Sequence, residues 1–329
     1  MTTNRLTMAT TTNESRGDCP SISLALSAWY LTGATAVGKS AVSLELAQRL
    51  DAEIISLDSM SIYRGMDLGT AKPTRAEQQV VPHHLIDLCE PHETFSVSRY
   101  RELALQTIRE IQQRGKRALF VGGSALYLKA MLRGIFRGPP ADWEFRLAVE
   151  EEANQVGPES LHRRLASIDP LAAHRLHVND RRRIIRALEV YHLTGRPISH
   201  WQMEFDHAHA PQECHVFTLR RPRQELHERI AARVQRMFDL GFVNEVRRLL
   251  DSSRSLSRTA SQAVGYREVL EYLCQGGDLK AVQEQILIRT RRFARHQETW
   301  FRGLSECQII DIAQPQDDPG DIADRLLRE

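Results

Sequence analysis

Eight consecutive residues restrict this chain more than any others: Gly33, Ala34, Thr35, Ala36, Val37, Gly38, Lys39 and Ser40. They match the pattern G-x-x-x-x-G-K-[ST], in which glycines let backbone N–H groups converge on phosphate oxygens. The pattern also needs a buried strand before it and a helix after it, whose N-terminus adds a favourable dipole. Both are present: an apolar run over 26–31 precedes it, and a helix over 39–50 follows with Val42, Leu46 and Leu50 on one face. Lys39 supplies a point charge and Ser40 a hydroxyl for Mg²⁺. The motif does not say which phosphate compound is bound.

A βα alternation continues from there. A strand is expected over 53–57, then a long irregular segment over 59–81 holding Tyr63, Gly65, Gly69 and Pro73. A short strand follows over 84–88, a helix over 98–114 stopped by Gly115, and a strand over 117–121. Such alternation implies a parallel sheet covered on both faces. Residues 141–212 then turn helical, with starts at Asp169-Pro170 and Asn179-Asp180 and a stop at Gly195-Arg196-Pro197. One more strand over 215–220 and long helices over 224–240, 243–250 and 279–300 complete the reading. The expected fold is α/β, a P-loop NTPase-like parallel sheet with flanking helices and a helical insertion domain. Its expected divisions are a disordered tail over 1–25, a P-loop core over 26–140 and 213–311, a helical insertion over 141–212, and a C-terminal tail over 312–329.

Two further features fall at the edge of the sheet that carries the phosphate loop, where ligands of open α/β sheets gather. Asp58 ends the second strand only 19 positions after Lys39, early for the Mg²⁺-ordering acid of motor NTPases. A carboxylate there suits a general base or a metal partner, and the plain alternative is a turn aspartate. Gly122-Gly123-Ser124 returns the chain to the same edge after the next strand. Two glycines permit close backbone approach and Ser124 offers a hydroxyl, although a tight turn would look the same.

The overall charge of +2 conceals an asymmetry. Residues 160–302 carry 25 Lys+Arg against 16 Asp+Glu, whereas the remainder carries 19 against 26. A basic second half is the footprint of a polyanionic partner. Arg181, Arg182, Arg183 and Arg186 cluster at a helix start, where a solvated helix salt-bridged to Glu189 is the bland alternative. Arg229, Arg233 and Arg236 form a ridge beside the apolar stripe Leu226, Ile230, Val234 and Met237, and Arg289, Arg292 and His296 form another. Five scattered cysteines without a C-x-x-C pair argue for a reducing compartment. No stretch approaches the roughly 20 apolar residues of a membrane span. A cytoplasmic monomer is expected.

Taken together the segments resemble one family, the tRNA dimethylallyltransferases (bacterial tRNA isopentenyltransferases). The resemblance rests on GATAVGKS at 33–40, DSMSIYRGMDLGTAKPT at 58–74, HHLID at 83–87, VGGSALYLKA at 121–130, AVGYRE at 263–268 and TRRFARHQETWFRG at 290–303. It spans roughly residues 28–311. It implies transfer of a dimethylallyl group from dimethylallyl diphosphate, with Mg²⁺, to N6 of the adenosine just 3′ of the anticodon (position 37) in tRNAs reading codons that begin with U. By residue matching, Gly33 to Ser40 and Arg233 bind the diphosphate, Asp58 is the catalytic base, Ser124 contacts the adenine, and Ser40 and Asp58 hold the metal. The tRNA contacts map onto Asp58, Ser59, Met60, Ser61, Ser124, Arg146, Arg182, Arg183, Ile184, Ile185 and Arg186. They continue at Gln262, Ala263, Val264, Gly265, Tyr266, Arg267, Thr290, Arg291, Arg292, Phe293, Ala294, Arg295, His296 and Gln297. The sequence departs from the family pattern at Ala34 and Trp143, where Pro is common, at Ser124, usually Thr, and at His296, usually Arg. The alternative is a P-loop small-molecule or nucleoside kinase using ATP, which leaves the basic second half unexplained.

Overall fold

Strand β1 (Trp29–Gly33) lies inside a six-stranded parallel sheet with β2 (Ala52–Ser56), β3 (His83–His84), β4 (Arg117–Gly122), β5 (His215–Arg220) and β6 (Gln308–Asp311), in the order β3-β2-β4-β1-β5-β6. The structure, a computed structural model, describes residues 20–203, 205, 208–251, 255–312 and 318–329. The register sets Leu31 opposite both Val121 and Phe217. Side chains alternate across a strand, so neighbouring apolar residues serve opposite faces. Tyr30, Ile55, Phe120 and Val216 enter one core, and Leu31, Ile54, Leu119 and Phe217 the other.

Helices cover both faces. Along the chain they are α1 (Pro20–Leu26), α2 (Lys39–Leu50), α3 (Arg75–Val80), α4 (Val97–Gln113) and α5 (Ala125–Arg133), then the insertion. The insertion comprises α6 (Trp143–Val156), α7 (Pro158–Ile168), α8 (Pro170–Arg175), α9 (Arg181–Thr194) and α10 (Ile198–Met203). The chain finishes with α11 (Arg223–Asp239), α12 (Phe242–Asp251), α13 (Arg258–Ser261), α14 (Tyr266–Gln275), α15 (Leu279–Arg302) and α16 (Pro319–Leu326). Helices α1, α4 and α5 bury Ala25, Ile108 and Leu128 with the first core, and α2, α11 and α16 bury Leu46, Ile230 and Leu326 with the second.

The insertion has its own core, with Leu161, Leu165, Ile184, Ile185 and Leu188 at its centre. Its helix ends follow local chemistry: Asp169 and Asp180 accept hydrogen bonds from the N–H groups of Ala172 and Arg183, and Gly195 closes α9 in the left-handed conformation. Glu306, fully buried, fastens it to the sheet domain. It takes a two-pronged pair from Arg133 (2.7 and 2.8 Å) before the insertion and the His209 N–H (3.3 Å) after it.

The structure corrects the expected divisions at both ends. Residues 20–26 are a helix and the first strand begins at Trp29, not at residue 26; the rest of the expected N-terminal tail, 1–19, lies outside the described residues. In the expected C-terminal tail, 318–329 includes α16, which buries Ile322, Ala323 and Leu326 and pairs Asp324 with Arg49 of α2 at 2.7 Å, while 313–317 lies outside the described residues. Three apolar side chains on one short helix are a weak sequence signal, and only the docking surface on α2 makes them a core. The strand expected over 84–88 stops at His84, because Leu85 and Asp87 take positive φ values of 59° and 53° and break the ladder.

Candidate active site

The phosphate loop leaves β1 at Gly33 and enters α2 through Gly38, whose φ of 111° gives the turn its left-handed step. Lys39 folds its ammonium back over the loop and donates to the carbonyls of Gly33 (2.9 Å) and Ala34 (2.8 Å). Desolvation lowers its pKa to about 7; the carboxylate of Asp58 opposes that shift and the guanidinium of Arg233 reinforces it. Ser40, one residue on, is exposed.

Helix α11 grips the loop from outside. Arg221, just before it, donates to Val37 O (2.8 Å), Arg229 to Ala36 O (2.8 Å), and Arg233 to the Thr35 hydroxyl (2.7 Å) and Gly69 O (3.2 Å). The expected ridge is therefore divided: Arg229 and Arg233 face the phosphate loop and Arg236 faces outward. Burial lowers the pKa of Arg233 and Asp58 opposes the effect, which places the loop, Arg233 and Asp58 in one electrostatic neighbourhood.

Asp58 leaves β2 at the same edge. Its Oδ1 accepts the N–H groups of Met60 (2.7 Å) and Ser61 (3.4 Å), a turn that orients the carboxylate. Its Oδ2 has no hydrogen-bond partner among the described residues. Beside it, Ser124 N–H donates to Leu57 O at 3.1 Å. That approach depends on Gly122: a Cβ there would sit 2.1 Å from Leu57 O. Ser124 occupies the N-cap of α5 without a side-chain cap bond, so its hydroxyl stays available. Beneath, Tyr100 and Tyr127 stack with centroids 4.1 Å apart, and the Tyr100 hydroxyl donates to Ser56 O at 2.7 Å. Burial raises both phenol pKa values and Asp58 adds to the rise, so both rings stay neutral.

Two relays support the site, and the sequence carries no local signal for either. Gln297 of α15 accepts the Thr35 N–H through Oε1 and donates through Nε2 to Gly123 O, both at 2.9 Å. Glu245 of α12, buried, accepts the N–H of Leu68 (2.9 Å) and the hydroxyl of Tyr266 (2.6 Å), and so fixes the 68–69 turn whose Gly69 carbonyl holds Arg233.

The residues matched to tRNA contacts divide by burial. Ser61, Ile184, Ile185, Ala263, Gly265, Tyr266, Thr290, Ala294 and Gln297 are buried, so in this arrangement they pack inside the protein. Ser59, Met60, Val264 and Arg291 are half-buried, and Gln262, Arg267, Arg292, Phe293, Arg295 and His296 are exposed. Arg146 and Arg186 both bind the buried carboxylate of Glu189, while Arg182 and Arg183 stay exposed. His296 accepts the indole N–H of Trp300 at 3.0 Å.

Among the described residues no group of three or more His, Cys, Asp or Glu side chains is placed to hold a metal by itself. A hydroxyl at Ser40 and a carboxylate at Asp58 fit Mg²⁺, which keeps several waters and takes substrate phosphates as ligands. No helix of the described residues is long and apolar enough to cross a membrane.

Comparison with known proteins points one way. A model of the IPP transferase family matches residues 61–304. The tRNA dimethylallyltransferase of Rhodopirellula baltica is 48% identical over 284 residues, which cover 84% of this chain and 85% of that one. That of Geobacter metallireducens is 45% identical over 283 residues, covering 86% and 91%. Among solved structures, the full-length tRNA isopentenylpyrophosphate transferase of Bacillus halodurans matches with a TM-score of 0.65 at 36% identity, over 92% of this chain and 96% of that chain. A eukaryotic dimethylallyltransferase acting on tRNA matches with a TM-score of 0.76 at 25% identity, over 91% and 77%.

Proposed function

Because the chain belongs to the tRNA dimethylallyltransferase family, we propose that it transfers the dimethylallyl group of dimethylallyl diphosphate to N6 of the adenosine 3′ of the anticodon, position 37, in tRNAs reading codons that begin with U. The observation that carries this reading is that Lys39 follows β1, Asp58 follows β2 at the same edge of the parallel sheet, and Arg233 reaches the phosphate loop at the Thr35 hydroxyl. Cations there suit a departing diphosphate, and the carboxylate suits a proton acceptor. The kinase alternative loses its support, since the similar proteins are prenyltransferases.

The chemistry asks for two things at once. The allylic C–O bond breaks and leaves negative charge on the diphosphate, while the exocyclic amine forms a C–N bond and loses a proton. Charge developing on the leaving group is stabilised by donors already in place. Lys39, Arg233 and the loop N–H groups other than those of Thr35 and Val37, which Gln297 and Ala34 already engage, supply them. The amine is a weak nucleophile, and Asp58 takes its proton, through the oxygen that no backbone N–H occupies. The Ser124 hydroxyl, free at the N-cap, fixes the adenine edge. When bound, Mg²⁺ on Ser40 and Asp58 supplies further charge neutralisation for the diphosphate.

An adenine stacked in an anticodon loop is out of reach, so it must be turned out of the stack to meet Asp58. The exposed arginines Arg182, Arg183, Arg267, Arg292 and Arg295 suit phosphate contacts that set the RNA's register. The enzyme acts as a monomer in the cytoplasm, where tRNA is modified. The test is transfer of label from dimethylallyl diphosphate to an unmodified anticodon stem-loop in Mg²⁺. Label at adenosine N6 supports the reading, and absence of transfer to a competent RNA overturns it.

A further inference from the structure

Helix α6 opens on Trp143, which is 51% exposed and the only exposed tryptophan of the described residues. An indole so placed gains little from core packing. What holds it is Arg146, whose guanidinium carbon lies 5.0 Å from the ring centroid. That cation is itself immobilised: its Nε and Nη2 donate to the two oxygens of Glu189 at 2.7 and 2.8 Å. Glu189 is fully buried and also takes Arg186 (2.5 Å) and the Asp142 N–H (2.8 Å). Burial opposes its ionisation, but these donors hold its carboxyl below the usual carboxylate range. Arg186 further donates to Pro139 O at 3.0 Å, and Asp142 caps α6 through the Phe145 N–H. The indole therefore stands on a rigid support at the start of α6.

The cation that faces the ring is the Arg146 guanidinium, which its pair with Glu189 holds in place. Arg182 lies on the α9 face that carries Arg186 and Glu189 (i, i+4, i+7), is exposed, and has no hydrogen-bond or ion-pair partner among the described residues. A flat aromatic surface backed by fixed positive charge and flanked by a free arginine suits an unpaired nucleotide, whose base stacks while its phosphate meets the cation. A base-paired helix offers no open base face to such a ring.

We propose that Trp143 is a stacking platform for one unpaired base of the tRNA substrate, with Arg146 and Glu189 as its positioning residues and Arg182 contacting the adjacent phosphate. This deepens the reading of the substrate as an anticodon stem-loop and rests on it. It also gives a use to a position where the chain departs from the family pattern.

The experiment measures binding and transfer with an anticodon stem-loop RNA, intact and with single abasic sites through the loop. Trp143→Ala should raise Kd and KM for the intact RNA by roughly 5- to 150-fold, the range spanned by base–aromatic stacking. It should leave KM for dimethylallyl diphosphate and the melting temperature unchanged. Trp143→Phe should restore most of the affinity, and the fluorescence quenching that RNA causes in the wild type should be smaller in that variant. One abasic position should abolish the difference between wild type and Trp143→Ala. The proposal is overturned if Trp143→Ala binds RNA as wild type does, if every abasic RNA shows the same loss, or if Trp143→Phe behaves like the alanine variant. A surface serving a protein partner instead would give the first of these outcomes. Trp143-dependent binding without any prenyl transfer would sink the proposed function and leave the platform standing.

Discussion

Gln297 accepts the amide hydrogen of Thr35 at 2.9 Å, across 262 positions of chain. The other end of the same carboxamide holds the Gly123 carbonyl, so one side chain sets the spacing between the phosphate loop and the turn that carries Ser124. Gln297→Leu removes both bonds and leaves the buried Gly123 carbonyl without a partner, at a cost of about 1–3 kcal/mol, and frees the half-buried Thr35 N–H. The expected result is a lower melting temperature together with a raised KM for dimethylallyl diphosphate. An unchanged KM in a folded variant would mean that the brace is not needed for the site.

Asp58→Ala and Asp58→Asn should each lower kcat by about 10²- to 10⁴-fold, the usual contribution of a positioned general base. Binding of the stem-loop RNA should persist, as measured by a filter or anisotropy assay. Transfer that survives both changes would remove the assignment of the base and leave the reaction intact.

Tyr266 touches the site through the 68–69 turn, which it braces with Glu245 and packs against at Gly69, and so through Arg233. Tyr266→Phe should therefore raise KM for dimethylallyl diphosphate severalfold in an otherwise intact enzyme. In an Arg233→Ala background the same change should add almost nothing, because the two mutations interrupt one relay. Additive losses in this cycle would show that Tyr266 matters for another reason.

In the proposed reaction Lys39 holds phosphate as an ammonium, and its pKa in the ligand-free protein is lowered to about 7. The charged fraction therefore falls as pH rises through neutrality, and kcat/KM for dimethylallyl diphosphate should fall with it. Lys39→Arg stays charged and should flatten that alkaline limb, whatever its absolute activity. Parallel pH profiles for the two enzymes would contradict the assignment.

Acid stability should depend on two buried carboxylates. Burial works against the charge of Glu189 and of Glu306, but arginine and backbone donors outweigh it and hold both pKa values below the ordinary glutamate value of 4.5. The native state thus binds fewer protons than the unfolded chain, and this contribution is present above pH 4.5 and lost as pH falls through the folded pKa values. Melting temperature should drop steeply below about pH 4.5, and Glu306→Gln should lower it at neutral pH while making the acid limb shallower. A limb of unchanged slope would assign acid unfolding to other groups.

The local signals in the sequence determined much of this protein. Gly33 to Ser40 announced a strand, a loop and a helix, and the alternation of apolar runs with helices implied the parallel sheet. In such a sheet the strand ends share one edge, which is why Asp58 and Ser124 were legible as neighbours of Lys39. Capping residues at Asp169, Asp180 and Gly195 marked helix ends because their chemistry acts within a few positions. What only the tertiary structure decided are contacts with no local signature. The grip of Arg233 on Thr35, the brace from Gln297, the relay through Glu245 and Tyr266, and the Glu189 hub under Trp143 each join separate elements. The helices at 20–26 and 319–326 belong with them, since a short segment with few apolar side chains becomes structure only against a surface that the rest of the chain provides.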